Sequence, residues 1–347
     1  MSDKPVWGPA TEHKARIVVE VGQAHEGSES FAHAYIDEIA NAGADAVKFQ
    51  IHIAGAESSR ADRFRLQRRY QNESRFEYWK RHEFPQAVLE DLVTHARERS
   101  LHIGFSTFSL EGLERFELLA PDFLKIGSGE ALQPWFLEQA GKTSAPIVLS
   151  TGLSSTAEIR HSMEVLSPNL ENFTLLQCTT RYPARLEDVG LNVVDQLREQ
   201  FACLVGLSDH SGVLAPSVFA ISQGASMVEI HGTFTKLAQG PDSRSSLDFD
   251  EIALLCNLRD AWATLENNPV DKDAMKLNLE ENRAVFGRSV AVRADLNAGD
   301  VLTADDLYFA KPGGGISPGR ISEVLGTRAK HFIRGQSIID EGDLAPS

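Results

Sequence analysis

Cysteine is scarce in this chain of 347 residues. Cys178, Cys203 and Cys256 make up the whole complement. They form no metal-type or redox pair, and an odd number argues against a disulfide framework, so each is expected to be a core residue. Basic charge is also in deficit: 34 Lys and Arg stand against 49 Asp and Glu, a formal charge of −15. A nucleic-acid or anionic-membrane binder would need a local basic face strong enough to overcome that field, so neither partner is expected. No run of about 18 apolar residues occurs, and the opening MSDKPVWGPATEHK has no apolar signal core. A cytoplasmic protein is therefore expected. Apolar residues at 42% and charged residues at 24% are the balance of an ordinary globular chain.

Eight short apolar or β-rich runs recur: Ile17–Val21, Ala46–Ile51, His102–Ser106, Phe123–Ile126, Ile147–Ser150, Phe173–Cys178, Ala202–Leu207 and Met227–His231. Amphipathic helical stretches lie between them, at Ala32–Gly43, Phe84–Ser100, Thr156–Leu166, Leu186–Phe201 and Ala215–Ser226. Strands alternating with helices imply a parallel sheet, and eight such units in about 250 residues imply an α/β fold closed as a (β/α)8 TIM barrel. An open doubly wound sheet is the competing architecture. The organisation expected is a barrel over 1–267, a polar linker over 268–284, and a small β-rich domain over 285–347. Two segments of that last part look alike, DLNAGDVLTADDL (Asp295–Leu307) and HFIRGQSIIDEGDL (His331–Leu344), which suggests internal pseudo-symmetry. Gly313-Gly314-Gly315 lacks the strand-to-helix context of a phosphate loop and is expected to be a turn.

The carboxyl ends of barrel strands carry the chemistry of the fold, and every such end here is polar. Strand one offers Glu20, then His25; strand two offers Lys48 and Gln50; strand three ends in Ser106-Thr107. Strand four brings Lys125, Ser128 and Glu130, strand five Ser150-Thr151, and strand six Thr179, Thr180 and Tyr182. Strand seven ends in Ser208-Asp209-His210 and strand eight in Glu229 and His231. Two lysines, several hydroxyls and turn glycines suit a phosphate or carboxylate dianion, although any one hydroxyl could simply cap a helix. His210 and His231 on neighbouring strands, beside Glu20, Asp209 and Asp242, suit a divalent metal. Arg60–Arg81 holds seven Arg and one Lys against three acids, interleaved with aromatics. It is either a lid over the barrel mouth or a solvated helix packed on the barrel or a partner subunit.

Taken in order, the strand-end motifs resemble those of the sialic acid synthases, which include the legionaminic and pseudaminic acid synthases. The motifs are EVGQAHEGS, AGADAVKFQ, FLKIGSGE, LSTG, CTTRYP-x4-DV-x-L, GLSDHS and EIHGTFTKLAQGPD. FGRSVAVRADLNAGDVLTADDL followed by KPGGGI resembles their C-terminal antifreeze-like (SAF) domain. The resemblance runs from about Ile17 to Leu344 and implies a TIM barrel followed by that domain. It implies condensation of phosphoenolpyruvate with an N-acylated mannosamine-type sugar to a nine-carbon 3-deoxy-2-keto acid and phosphate, in a domain-swapped homodimer. Phosphoenolpyruvate would then be held by Lys48, Thr107, Lys125, Ser128, Ser150 and Ser208. His210 and His231 would bind Mn2+ or Mg2+. Glu20, Glu130, Tyr182 and Asp209 would be catalytic, and Gln50, Thr180, Asp242 and Lys311 would complete the substrate site.

Four positions depart from the family pattern. Gln23-Ala24 precede His25 where Asn is common, STFS lacks a Pro after Thr107, Thr180 stands where Asn is frequent, and Lys311 replaces an Arg that reads the N-acyl oxygen. Lys cannot reproduce a two-pronged guanidinium contact, so the acceptor could be another, more charged aldose, including a phosphorylated one. A Schiff-base aldolase using Lys48 or Lys125 and a catalytically silent carbohydrate-binding relative are the readings of other classes.

Overall fold

Period-two alternation of side chains builds the barrel. The computed structural model describes residues 14–65, 72–166, 173–238 and 240–346, with 277 and 278 by backbone only. Contacts divide the chain into two units, 1–267 and 268–347. In the first, eight parallel strands follow one another in order: β1 (Arg16–Glu20), β2 (Ala46–Ile51), β3 (His102–Thr107), β4 (Phe123–Ile126), β5 (Ile147–Ser150), β6 (Phe173–Cys178), β7 (Leu204–Asp209) and β8 (Met227–Gly232). Pairing of β1 with β8, from Arg16↔Met227 to Glu20↔His231, closes the sheet into a barrel rather than leaving it open. A short β9 (Ser246–Leu247) pairs parallel beside the end of β8.

The helices are α1 (Glu29–Asn41), α2 (Ala54–Glu57), α3 (Arg75–His82), α4 (Gln86–Glu98), α5 (Leu110–Leu119), α6 (Pro134–Ala140), α7 (Thr156–Val165), α8 (Leu191–Gln200), α9 (Ala215–Ser222) and α10 (Phe249–Glu266). Local sequence sets their starts: reciprocal capping boxes join Ser74 to Glu77, Ser155 to Glu158 and Asp248 to Glu251. Helix α1 buries Ala32, Tyr35, Ile36 and Ile39, the one-face spacing of an amphipathic helix. Among the described residues no helix is long and apolar enough to cross a membrane.

Two elements of the barrel differ most from the sequence reading. The helix expected over Leu186–Phe201 is a 3-10 turn (Leu186–Asp188) and then α8, because Gly190 takes a left-handed conformation (φ +71°) between them. The seventh strand runs Leu204–Asp209, two residues later than the apolar run Ala202–Leu207, because the chain still turns at Cys203, whose N–H bonds the Phe201 carbonyl.

Inside the barrel the alternation produces layers. Val18, Ala46, Phe123, Val148, Leu176 and Met227 form a separate buried apolar cluster. Burying one such large side chain contributes roughly 1.5–3 kcal/mol. Phe123 needs a glycine opposite: a Cβ on Gly104 would lie 2.2 Å from its ring. Two residues further along each strand, the same inward positions are Glu20, Lys48, Ser106, Lys125, Ser150, Cys178, Ser208 and Glu229. The larger apolar core lies between strands and helices and includes Ile17, Val19, Phe49, Phe105 and Leu207.

In the second unit, the polar connector of the sequence reading holds two short helices, α11 (Lys272–Asn278) and α12 (Glu280–Phe286). Strands β10 (Ser289–Val292) and β11 (Leu307–Ala310) pair antiparallel over a small core of Val290, Val292, Leu302, Leu307, Val324, Ile333 and Ile339, with α13 (Ile321–Val324) beside them. The two look-alike segments bridge at Leu296↔Ile333 and end alike, each in a 3-10 turn closed by a reciprocal cap, Thr303 with Asp306 and Asp340 with Asp343.

Candidate active site at the carboxyl end of the barrel

Above the apolar layer the barrel opens into a cavity of about 340 Å3. Its floor holds two buried lysines with opposite charges beside them. Lys48 ion-pairs with Glu20 and donates to Ser106 Oγ at 2.9 Å. Lys125 Nζ lies 3.4 Å from Glu229 Oε1, which also accepts from Ser208 Oγ at 3.1 Å. Burial pushes the Lys48 ammonium down to about 7, and Lys125 adds to this while Glu229 and Asp242 oppose it. Burial alone would raise Glu229, but Lys125 and Lys48 outweigh it and hold that carboxylate at about 2. Ser150 Oγ is buried without a hydrogen-bond partner, which is what a hydroxyl poised for a ligand looks like. Gly152 N–H donates to Ser128 Oγ at 3.0 Å, and a side chain at Gly152 would strike Thr180 Oγ1 at 2.4 Å.

The two histidines stand on one wall, ring centroids 5.3 Å apart. His210 Nδ1 is 3.0 Å from the Thr179 carbonyl oxygen. A carbonyl can only accept, so the proton sits on Nδ1 and Nε2 presents its lone pair. Burial lowers the pKa of both rings, His210 to about 3, so both are neutral near pH 7. The Glu20 and Asp242 carboxylates converge beside them: a Cβ on Gly22 would meet Glu20 Oε1 at 3.2 Å and Asp242 Oδ2 at 3.6 Å. Among the described residues, the Glu20 carboxylate finds no hydrogen-bond partner apart from the Lys48 ion pair. Two neutral imidazoles and two carboxylates fit a divalent cation. Among the described residues, the trio of metal-type donors lying within 4.8 Å of one another is Glu29, His33 and Asp91, where α1 meets α4. None of the three lines the cavity.

The rim is aromatic and cationic. Tyr182 stacks on His210 with centroids 4.1 Å apart and carries the Arg65 guanidinium 3.9 Å from its ring centre. Arg65 Nη2 also donates to Asp242 Oδ1 at 2.6 Å. Arg75 lies over Trp79 at 3.7 Å. Burial raises the pKa of the Tyr182 hydroxyl and of the Glu130 carboxyl, favouring their protonated forms.

Of the residues to which the resemblance gives a role, Glu20, Lys48, Gln50, Lys125, Ser128, Glu130, Ser150, Thr180, Tyr182, Ser208, His210, His231 and Asp242 all line this cavity. Three do not. Thr107 and Asp209 are one residue out of phase with Ser106 and Ser208, so their side chains leave the barrel interior. Thr107 Cβ faces Gly112 of α5, and Asp209 instead accepts from Ser211 N–H and Oγ at 2.8 and 2.9 Å. Lys311 belongs to the second unit, its Nζ 5.5 Å from the centre of the Phe286 ring. Cys178, expected in the core, is buried but forms part of the cavity wall. Arg65, Arg75 and Trp79 from the arginine-rich segment line the rim; its residues 66–71 lie outside the described residues. Sequence reasoning missed the wall residues Gln23, Phe108 and Leu153 and the partners behind them, and it placed no role on Glu229. The sequence reading names Ser106 and Glu229 only as strand-end groups; strand parity, applied strictly, puts both on the cavity side.

The NeuB family profile matches residues 35–268, and the SAF domain profile matches residues 287–345. The chain is 30% identical over 335 residues to the N,N'-diacetyllegionaminic acid synthase of Campylobacter jejuni, covering 94% of this chain and 99% of that one. It is 31% identical over 342 residues to the pseudaminic acid synthase of Helicobacter pylori, covering 96% and 98%. The crystal structure of the N-acetylneuraminic acid (sialic acid) synthetase of Leptospira borgpetersenii superposes with a TM-score of 0.68 at 25% identity, over 78% of this chain and 91% of that one.

Proposed function

The chain belongs to the NeuB family, phosphoenolpyruvate-dependent condensing enzymes of the sialic and related nonulosonic acid synthase class, and from that premise we propose its particular reaction and the residues that perform it. Phosphoenolpyruvate joins the open-chain aldehyde of an N-acylated mannosamine-type sugar, giving a nine-carbon 3-deoxy-2-keto acid and phosphate. The observation that carries this reading is a floor of two buried lysines and ligand-ready hydroxyls directly below a pair of neutral, buried histidines.

Lys48 and Lys125, with Ser106, Ser128, Ser150 and Ser208, hold the phosphate and carboxylate of phosphoenolpyruvate. His210 and His231, beside Glu20 and Asp242, would hold Mn2+ or Mg2+, which when bound supplies Lewis-acid polarisation of the acceptor aldehyde. Gln50, Thr180, Tyr182 and Asp242 orient the sugar over C3 of phosphoenolpyruvate. C3 forms the new bond to the aldehyde carbon, and the aldehyde oxygen takes a proton, for which the raised pKa of Glu130 makes it the donor. Glu20 takes a proton from the water that adds at C2. The resulting hemiketal phosphate breaks its C2–O bond to phosphate, and the ketone forms as the remaining hydroxyl proton leaves.

The test is phosphate release from phosphoenolpyruvate by the metal-loaded enzyme, with N-acetylmannosamine, diacetamido-trideoxy hexoses, mannose and phosphorylated aldoses as acceptors, each with and without chelator. Chelator-sensitive release with an acylated amino sugar supports the reaction and names the acceptor. Release with a phosphorylated aldose alone moves the substrate class, an outcome favoured by the two guanidinium groups at the rim. Borohydride trapping of a lysine with chelator-insensitive turnover would replace the reaction by Schiff-base chemistry. The assembly that goes with this reading is a cytoplasmic, domain-swapped homodimer in which Lys311 approaches the partner's acceptor site. Lys311→Ala then raises the acceptor KM, and sedimentation gives the mass of a dimer.

A further inference from the structure

A polar chain runs from the cavity floor to behind its wall, and the reaction above gives no role to its far end, His52 and Glu57. Lys48, Gln50 and His52 follow one another at every second residue along and just past β2. Lys48 is on the floor, Gln50 is on the wall and His52, 2% exposed, is sealed behind it. The His52 ring lies between two aromatic planes: Trp79 at 4.1 Å between centroids with 23° between planes, and Phe108 at 4.8 Å with 4°. Both ring nitrogens have partners. Nδ1 is 2.7 Å from Glu57 Oε1, and Nε2 is 2.8 Å from Gln50 Oε1.

The Gln50 carbonyl oxygen only accepts, so the ring donates to it from Nε2. Glu57 at Nδ1 and an aromatic plane on either face hold the ring in that place. With its Oε1 engaged by His52, the Gln50 amide can only offer its N–H2 group to the cavity. Without that ring donor the amide is free to turn over, and the wall then presents an acceptor where it had presented a donor. A buried amide wrongly oriented towards a substrate oxygen leaves two acceptors facing each other, which is how hydrogen-bonding sites reject ligands.

We propose that His52, held by Glu57 between Trp79 and Phe108, is a positioning residue that fixes the Gln50 amide so that its N–H2 group meets a carbonyl or hydroxyl oxygen of the acceptor sugar. This rests on the reaction proposed above for the same cavity. Among the described residues, the side-chain partners of His52 and Glu57 include neither the phosphate floor nor the paired histidines, so the effect falls on the acceptor alone.

The test is a double-mutant cycle in the full-length, metal-loaded enzyme: His52→Asn, Gln50→Ala and the double variant, with Glu57→Gln alongside. His52→Asn raises the acceptor KM by about 5- to 15-fold, the worth of one hydrogen bond to a substrate, while the phosphoenolpyruvate KM stays within twofold. In the Gln50→Ala background it adds nothing further. Additive effects in the cycle, or an equal rise in both KM values, overturn the proposal, because they mean that His52 supports the fold rather than Gln50. Where His52→Asn lowers the melting temperature sharply, Glu57→Gln carries the same comparison. A readout independent of turnover separates this proposal from the reaction itself. Spectra of the nitrogen-15-labelled Gln50 side-chain amide should show one protected N–H2 environment in the native enzyme that changes in both His52→Asn and Glu57→Gln, and an amide signal unchanged in those variants overturns the proposal even if the synthase activity is found.

Discussion

Binding of phosphoenolpyruvate alone should draw a proton from solution, and Lys48 sets how much. Its ammonium is pushed down to about 7 by burial, so at pH 8 only about one-tenth of free sites carry the charge. A phosphate dianion in contact with it favours the charged form by roughly 1–3 pKa units, which brings the bound lysine to between half and nearly full protonation at pH 8. The expected uptake is therefore about 0.4–0.9 proton per site at pH 8, about 0.5 near pH 7 and towards zero at pH 6. Calorimetric titration in buffers of differing ionisation enthalpy reads this number directly as a slope. The acceptor is omitted, so no turnover intrudes. The same shift has a stability counterpart. Between about 7 and the ordinary value of 10.5 the unfolded chain binds more protons than the folded one, so this group's cost is fully present below pH 7 and is relieved as pH rises through that window. A slope of zero at pH 8, or an unchanged slope in Lys48→Met, would refute the reasoning.

Acid should destabilise the protein well before its carboxylates titrate. Burial holds His82 down to about 4 and His210 down to about 3, so below about pH 6.5 the unfolded chain takes up protons that the fold refuses. Melting temperatures should fall steadily from pH 7.5 to 5, and a flat profile would count against buried neutral rings. Gly104→Ala puts a Cβ 2.2 Å from the Phe123 ring, an overpacking cost of roughly 1–3 kcal/mol or more; denaturant melts should show it, and Phe123→Leu should recover most of it. Gly152→Ala drives a methyl onto Thr180 Oγ1; the phosphoenolpyruvate KM should rise with little change in melting temperature, and an unchanged KM would remove that turn from the donor site.

The barrel was legible in the sequence because its strands are short apolar runs with polar ends, and six of the eight runs share both their first residue and their parallel pairing with the structure. What the sequence hid was parity. Ser106 and Thr107 are chemically alike, as are many pairs at strand ends, and only the register against Lys48 and Lys125 decides which faces inward. The wall residues were hidden for another reason: His52, Trp79 and Phe108 come from three separate segments, and no spacing within any one of them announces that their rings stack. The left-handed Gly190 was likewise a single residue inside an otherwise helical pattern.

The apolar cluster beneath Lys48 and Lys125 divides evolutionary labour along the barrel axis. Groups that would grip the donor sit one step above that cluster on the strands themselves, where any shift in side-chain volume propagates into Phe123 and Met227. Groups that would face the acceptor sit a step higher, many of them on connections after β2 and β6. A lineage can therefore exchange one sugar for another by rewriting loops, while the half-reaction on the three-carbon donor stays locked to the packing of the barrel floor.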